Sequence, residues 1–475
     1  MTVNASDREL SPDDIVTPLA AFLAKAGMIF AGDLERAADH VHYPADPNTT
    51  LVGSVLGQAM WESAEGKQLI SLLLTDPILN AWFGGQHVNL VELQAILASA
   101  IRSWAASNQS ADEFSRHQAQ NVLQALKRPD WPCWTIGVAY GVTAGQRLDL
   151  PRSYSIDPDV DRALSNAAAN GAVTELHLAR MNKGFGCLFL YGASADREMF
   201  GPFAATTAMA WGQVAFETLK KAIWLASGVS PVVGDVLVTD ASSYPVVPLR
   251  HLPAPLQTYP VTPRPLDEGE VALLATCLLR IEFVREDGPE MDPETELQLR
   301  LALSHVDTIL RLADRLVAAL LVYVALEGLL LNADDDESRL GQRVAWLVGV
   351  DTGERRSLRR LMSAYRELRG NLAHGKRPRL QDLETMLGRK VSPDEVHAYF
   401  TWSGHETGEL LKERCRELLR KVLLSFLTLV TNVESSEAVS VAATRRETIE
   451  TLEAAIHRHE PARKLLEDNA RALFA

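Results

Sequence analysis

Leu316-Val-Ala-Ala-Leu-Leu-Val-Tyr-Val-Ala-Leu326 is the longest apolar run of the chain, and it ends on a carboxylate, Glu327. Its 11 residues fall well short of the roughly 20 needed to cross a bilayer, so the run predicts a helix buried in a protein core. Around it, Leu299, Leu303, Val306, Leu310, Ala313, Val317, Leu320 and Val324 keep alternating four- and three-residue steps. Such steps set one apolar seam along helical structure. Leu358, Leu361, Tyr365, Leu368 and Leu372 repeat the spacing downstream, as do Leu411, Cys415, Leu418 and Val422. Long helices joined by short connections make a bundle. Residues 267–475 are therefore expected to form an all-α domain.

Upstream, seven of the 21 residues from Pro245 to Pro265 are proline. That density continues neither a helix nor a central strand, and it marks residues 246–266 as a linker. Residues 1–245 then form an N-terminal sensor or regulatory region. Pro12-Asp-Asp14 after Ser11 opens a helix to about Ile29. Helical patterns over Lys67–Phe83 and Leu90–Lys127 carry the helical start to about residue 127. Between 130 and 245 the texture is mixed α/β: strands at Thr135–Tyr140, Val173–Leu178, Cys187–Tyr191 and Asp235–Thr239, a hairpin connection at Met181–Gly186, and a helix over Phe203–Leu225. The expected class is α+β, mainly α.

The chain has 475 residues, 61 acidic against 47 basic side chains, and a net charge of −14. The acid excess excludes a protein whose whole surface binds nucleic acid. Four scattered cysteines without a CxxC pair argue against a disulfide framework or structural zinc. With no signal-like start, the expected location is the cytoplasm, with no membrane partner. No GxxxxGK[ST] or GxGxxG appears, and no cofactor is expected. His40-x-His42 and His457-x-His459 lack a third ligand and read as exposed histidines. Asp157-x-Asp159-x-Asp161 lacks the glycine and distal glutamate of a calcium loop and reads as a turn and helix start.

One segment reverses the charge. Arg355, Arg356, Arg359, Arg360, Arg366, Arg369, Lys376, Arg377 and Arg379 face a single acid, Glu367, within 25 residues. Either this is a solvated helix face paired with the acidic loop Asp334-Asp-Asp-Glu337, or it is a surface for phosphates. Inside it lies Tyr365-Arg-Glu-Leu-Arg369-Gly-Asn-Leu-Ala-His374-Gly375. Gly375 and Pro378 stop the helix and put His374 in its last turn. A helix C-terminus favours a cation there, which suits a general acid, and the planar fork of Arg369 matches phosphate oxygens. Five residues of ideal helix set the two side chains roughly 140° apart. A bent helix end or a second copy of the helix is needed to bring both to one cleft. Arg36–His42 and Arg300–His305 have similar spacing without basic surroundings and read as coincidence.

Residues from about 315 to 377 resemble the HEPN domains of the Apea-like group, helical bundles of bacterial anti-phage and toxin-type ribonucleases. The matching pieces run in order: Val324-Ala-Leu-Glu327-Gly-Leu-Leu, then Arg343-Val-Ala-Trp-Leu, then Tyr365, Arg369 and His374-Gly375. The resemblance implies a metal-independent endoribonuclease working at the composite site of a homodimer. His374 handles protons, and Arg369 steadies the charge on the phosphate. The implied partner is a single-stranded or tRNA-like RNA, held by Arg355, Arg356, Arg359, Arg360, Arg366, Lys376, Arg377 and Arg379, with a phage-derived trigger or inhibitor as a further partner. The family often has Asn, Asp or His directly after the arginine, whereas this chain has Gly370, with Asn371 next. Either Asn371 substitutes, or the domain is an inactive dimerisation and sensor module or an RNA-binding scaffold. Glu327 is expected to pair with Arg343 or another bundle arginine, or to orient Arg369 or His374. Tyr365 is either a core residue or an RNA contact.

Overall fold

The computed structural model describes residues 12–38, 62–76, 130–159, 186–196, 204–240, 245–246, 263–285, 291–395 apart from 313, 405–435 and 438–474, with isolated positions between 116 and 127 and at 199. The class is mainly α with a β component, as expected. The chain forms two compact units. The first joins Met1–Phe216 to Pro231–Pro265, and the second joins Glu217–Ser230 to Leu266–Ala475. The second unit thus takes a segment, Glu217–Ser230, that the expected 1–245 region had included.

In the first unit, α1 (Pro12–Ala38) carries Asp13 and Asp14 in its first turn, where the helix dipole favours anions. Ile15, Leu19, Phe22 and Ala26 are buried at three- and four-residue steps. The helix packs with α2 (Ala64–Thr75), whose Ser63 side chain caps the Gly66 amide at 3.1 Å. Lys25 and Glu65 join the two at 2.6 Å.

The sheet is β1 (Asp130–Tyr140), β3 (Leu148–Leu150), β4 (Tyr154–Asp157), β5 (Gly186–Asp196), β6 (Val232–Asp240) and β7 (Pro245–Val246), in the order β3-β4-β5-β1-β6-β7. Every pairing in it is antiparallel. A separate parallel pair joins β2 (Val142–Thr143) to β8 (Arg264–Pro265). Helix α3 (Ala204–Ser227) lies close on β1, and at Gly212 a Cβ would sit 1.8 Å from the Thr135 hydroxyl oxygen. That approach requires glycine.

Three expected strands fall inside β1, β5 and β6. Strands β3 and β4 were not expected. Asp157 closes β4, and its carboxylate accepts the Asp159 amide at 2.9 Å, which makes a turn there as expected; the helix start expected to follow lies outside the described residues. β4 is buried at all four positions, so it shows no alternation to betray it. The expected strand Val173–Leu178, His40-x-His42 and most of the 90–127 helix lie outside the described residues.

Most of the second unit is helical: α4 (Glu268–Arg285), α5 (Pro293–Arg311), α6 (Arg315–Leu330), α7 (Ser338–Val348), α8 (Thr352–Ala373), α9 (Leu380–Leu387), α10 (His405–Val430), α11 (Arg445–Ile456) and α12 (Glu460–Phe474). A small hairpin, β9 (Thr431–Val433) and β10 (Val439–Val441), separates α10 from α11. The expected seam over Leu299–Val324 does not continue through one helix. Leu312 ends α5, and the Asp314 carboxylate caps α6 by accepting the Leu316 and Val317 amides at 2.9 and 3.1 Å. The apolar phase shifts there. Leu299, Leu303 and Val306 are buried, but Val317 and Val324 are 41% and 43% exposed. The buried face of α6 is Ala318, Ala319, Val322, Tyr323, Leu326, Leu329 and Leu330.

Candidate functional site

Helix α6 is held at its C-terminal end by two buried arginines. The last carbonyls of any helix lack intrahelical donors. Here Arg343, from α7, donates to the Leu330 carbonyl at 2.5 Å. Arg445, from α11, donates to the carbonyls of Gly328 and Leu329 at 3.2 and 3.1 Å, and to that of Leu331. Both are compensated: Arg343 by Asp335 and Glu453 at 2.6 and 2.8 Å, Arg445 by Glu294 at 2.5 Å. These contacts fix Glu327, which lies one turn before the helix end.

Helix α8 supplies the facing groups. The Asp351 carboxylate caps its start by accepting the Glu354 amide at 2.8 Å. Met362, Tyr365 and Leu368 bury one side. His374 is the C-cap, and Gly375 follows with φ +65°, the left-handed conformation that ends helices. The side chain of His374 is exposed, as expected for a helix end. Arg369, one-third exposed, lies between two carboxylates, Glu327 at 3.6 Å and Glu337 at 3.4 Å, with its guanidinium 5.4 Å from the Tyr323 ring centre. Burial raises the Glu327 carboxyl above its usual range, opposed by Arg369 and assisted by Glu337. Burial likewise pushes the Tyr323 hydroxyl up to about 12, with Glu327 and Glu337 adding to it. The Asn371 amide nitrogen is buried without a hydrogen-bond partner.

Glu327 therefore pairs with Arg369. Arg343 is a structural arginine with other partners and takes no part in the site. Tyr365 belongs to the core: it is 1% exposed, its hydroxyl donates to the Ala319 carbonyl at 2.5 Å, and it meets Tyr323 edge-on at 5.2 Å. It is not placed to contact RNA.

The basic segment divides into three groups. Arg355 is removed from the candidate phosphate contacts, because it is buried against Trp346 at 4.1 Å and donates to the Gly349 carbonyl and to Glu467. Arg366 and Arg379 approach Glu367 at 4.0 and 3.7 Å, and Arg369 is held by the acids already named. Arg356, Arg359, Arg360, Lys376 and Arg377 are exposed and have no acidic partner among the described residues. Pairing with the acidic loop accounts for part of the segment. Asp336, held below its usual range mainly by hydrogen bonds from Ser338, also feels Arg366 and Arg339.

No hydrogen bond or ion pair joins Arg369 to His374 among the described residues, in keeping with their angular separation on one helix. Along α6, exposed Val317 and Val324 and half-exposed Leu320 and Leu321 form a strip that leads to Glu327. On α5, Leu297 and Leu301 are also exposed. Sequence reasoning missed Tyr323 and Arg445. Tyr323 lies four residues before Glu327, a spacing that places both on one side of a helix. Nothing local to Arg445 marks it as the partner of a helix more than 100 residues upstream.

His457 and His459 act in local caps: His457 is the C-cap of α11, and the His459 Nδ1 accepts the Ala462 amide at 3.4 Å. Among the described residues no group of three or more His, Cys, Asp or Glu could hold a metal ion, and no helix is long and apolar enough to cross a membrane. No protein-family model, curated protein or solved structure matches the chain.

Proposed function

We propose that the second unit is a metal-independent endoribonuclease of the HEPN type, acting as a homodimer in the cytoplasm, with the first unit as its sensor in anti-phage defence. The observation that carries the reading is the exposed end of α8. It presents Arg369 and His374 within one turn and a half, with Lys376 and Arg377 beside them and Arg356, Arg359 and Arg360 farther back along the helix, none of the five having an acidic partner among the described residues. In the proposed reaction His374 takes the proton of a ribose 2′-hydroxyl, and the oxygen attacks the adjacent phosphorus. Arg369 balances the growing charge on the phosphate, and the 5′-oxygen leaves with the proton that His374 took up, so no proton is gained or lost overall. The products are a 2′,3′-cyclic phosphate and a 5′-hydroxyl. The reaction requires the 2′-hydroxyl, so DNA is not cut. The apolar strip on α6 is offered as the dimer surface, because it runs up to the Glu327–Arg369 pair.

A second reading is a HEPN-like dimerisation or RNA-binding module without chemistry. Gly370 after Arg369 and the two carboxylates already holding Arg369 favour it. The test is cleavage of labelled single-stranded RNA in EDTA by the full chain, beside Arg369→Ala, His374→Ala and Val324→Glu. On the nuclease reading, the first two lose at least 100-fold in rate with unchanged melting, and Val324→Glu loses both dimer and activity. Equal cleavage by all four proteins sinks the site. Binding without cleavage supports the module.

A further inference from the structure

A second site lies on the other part of α8. A cavity of about 330 Å³ opens where α8, α9 and α10 meet. Its floor is apolar: Leu358 and Leu361 from α8, Met386 from α9 and Leu418 from α10. Its rim carries three cations, Arg360, Arg414 and Lys421. The single carboxylate among the lining residues, Glu417, is already held by Arg420 at 2.7 and 2.8 Å. Neither Arg360 nor Arg414 has an acidic partner among the described residues, and Lys421 lies 5.3 Å from the Phe474 ring centre. Two hydroxyls, Ser357 and Thr385, complete the mouth. The Thr385 hydroxyl proton goes to the Gln381 carbonyl, which leaves its oxygen free to accept.

Three rim cations whose charge no lining acid offsets call for a ligand with close to two negative charges at one end. A phosphate monoester carries that charge near neutral pH, and a single carboxylate or a phosphodiester does not. Guanidinium forks match phosphate oxygens in pairs. The floor calls for a flat or apolar body, which Met386 can mould itself to. The volume is at the small end of ligand sites, and bundles commonly build such sites between helices.

We propose that this cavity binds a free mononucleotide, with its phosphate on Arg360, Arg414 and Lys421 and its base over the leucine floor. Arg360 precedes His374 by 14 residues, which is roughly 21 Å along a helix axis, so the site is separate from the α8 end. It does not depend on the ribonuclease reading.

The test is calorimetric titration of the full chain with AMP, GMP, CMP and UMP, each beside its nucleoside, together with inorganic phosphate and a short RNA lacking a terminal phosphate. A mononucleotide is expected to bind once per chain, at least tenfold tighter than its nucleoside and than phosphate alone. Arg414→Ala and Lys421→Ala, both surface changes, should each weaken it at least fivefold. Ser357→Trp should abolish it by filling the mouth, with melting unchanged. Phosphate binding as tightly as the nucleotide would show that the floor contributes nothing, and overturns the proposal. So does binding of the RNA alone, absence of any mononucleotide heat up to millimolar concentration, or undiminished binding by the Arg414→Ala/Lys421→Ala double variant.

Discussion

The ion pair of Glu327 with Arg369 has two opposing contributions. Attraction to Arg369 favours the carboxylate, but burial disfavours it and wins, since the carboxyl titrates above its ordinary value. The sign for stability follows. Between the unfolded and the folded value the native protein binds more protons, so this residue's contribution falls as pH rises through the raised value. At neutral pH an ionised Glu327 is a cost, and Glu327→Gln should melt no lower than the parent at pH 7, with any gain vanishing toward pH 4. An ordinary stabilising ion pair requires the opposite, a lower melting temperature at pH 7. The same change frees one side of Arg369 and should tighten RNA binding if that guanidinium meets phosphate. Each of these residues stood out in the sequence, Glu327 as an acid ending an apolar run and Arg369 within a basic segment. Their pairing was one of two alternatives, and the choice between Arg343 and Arg369 was hidden because it depends on Arg343 being engaged by Glu453, 110 positions away.

At the scale of elements, helix periods and stops carried most of the information. Pro12, Asp292 and Asp314 each open a helix, and Gly375 closes one, for reasons local to those residues. The seam from Leu299 to Val324 misled because apolar steps can run on unbroken through a helix–helix connection. Asp314 was the available stop signal, a capping residue two places before an apolar run. Strands β3 and β4 escaped for a different reason: both are short, and β4 is buried on both faces. What the sequence conceals most is the anchoring of α6 by charges brought from α7 and α11. Removing one member of a buried, compensated ion cluster leaves its partners unpaired in a poorly solvated place, typically costing about 3–5 kcal/mol. Arg445→Ala and Arg343→Ala should each lower the urea unfolding free energy of the second unit by about that amount. Arg446→Ala should change it by about 0.5 kcal/mol or less, since Arg446 pairs with Glu450 on the surface. If Arg445→Ala behaves like Arg446→Ala, the anchoring role is wrong.

Across the whole molecule, a net charge of −14 repels polyanions, so on the proposed reading RNA binding has to be local. The structure narrows the basic segment further than the sequence did. Of its nine cations, Arg355 is buried, and Arg366, Arg369 and Arg379 lie near acids, leaving Arg356, Arg359, Arg360, Lys376 and Arg377 exposed. Each phosphate neutralised on a single strand releases counterions, contributing about −0.7 to the slope of log affinity against log salt. If all five contact phosphates, the slope is about −3.5. Arg356→Ala/Arg359→Ala/Arg377→Ala leaves the cavity rim and the Arg369 pair untouched and should reduce the slope by about 2. Arg355→Ala should leave the slope unchanged while lowering stability, because its charge is spent on Glu467 and Trp346. Fluorescence anisotropy with a labelled single-stranded RNA at several salt concentrations measures both. An unchanged slope in the triple variant would mean that RNA, if it binds at all, uses another face. In that case Arg356, Arg359 and Arg377 only help keep an acidic protein's basic segment in solution.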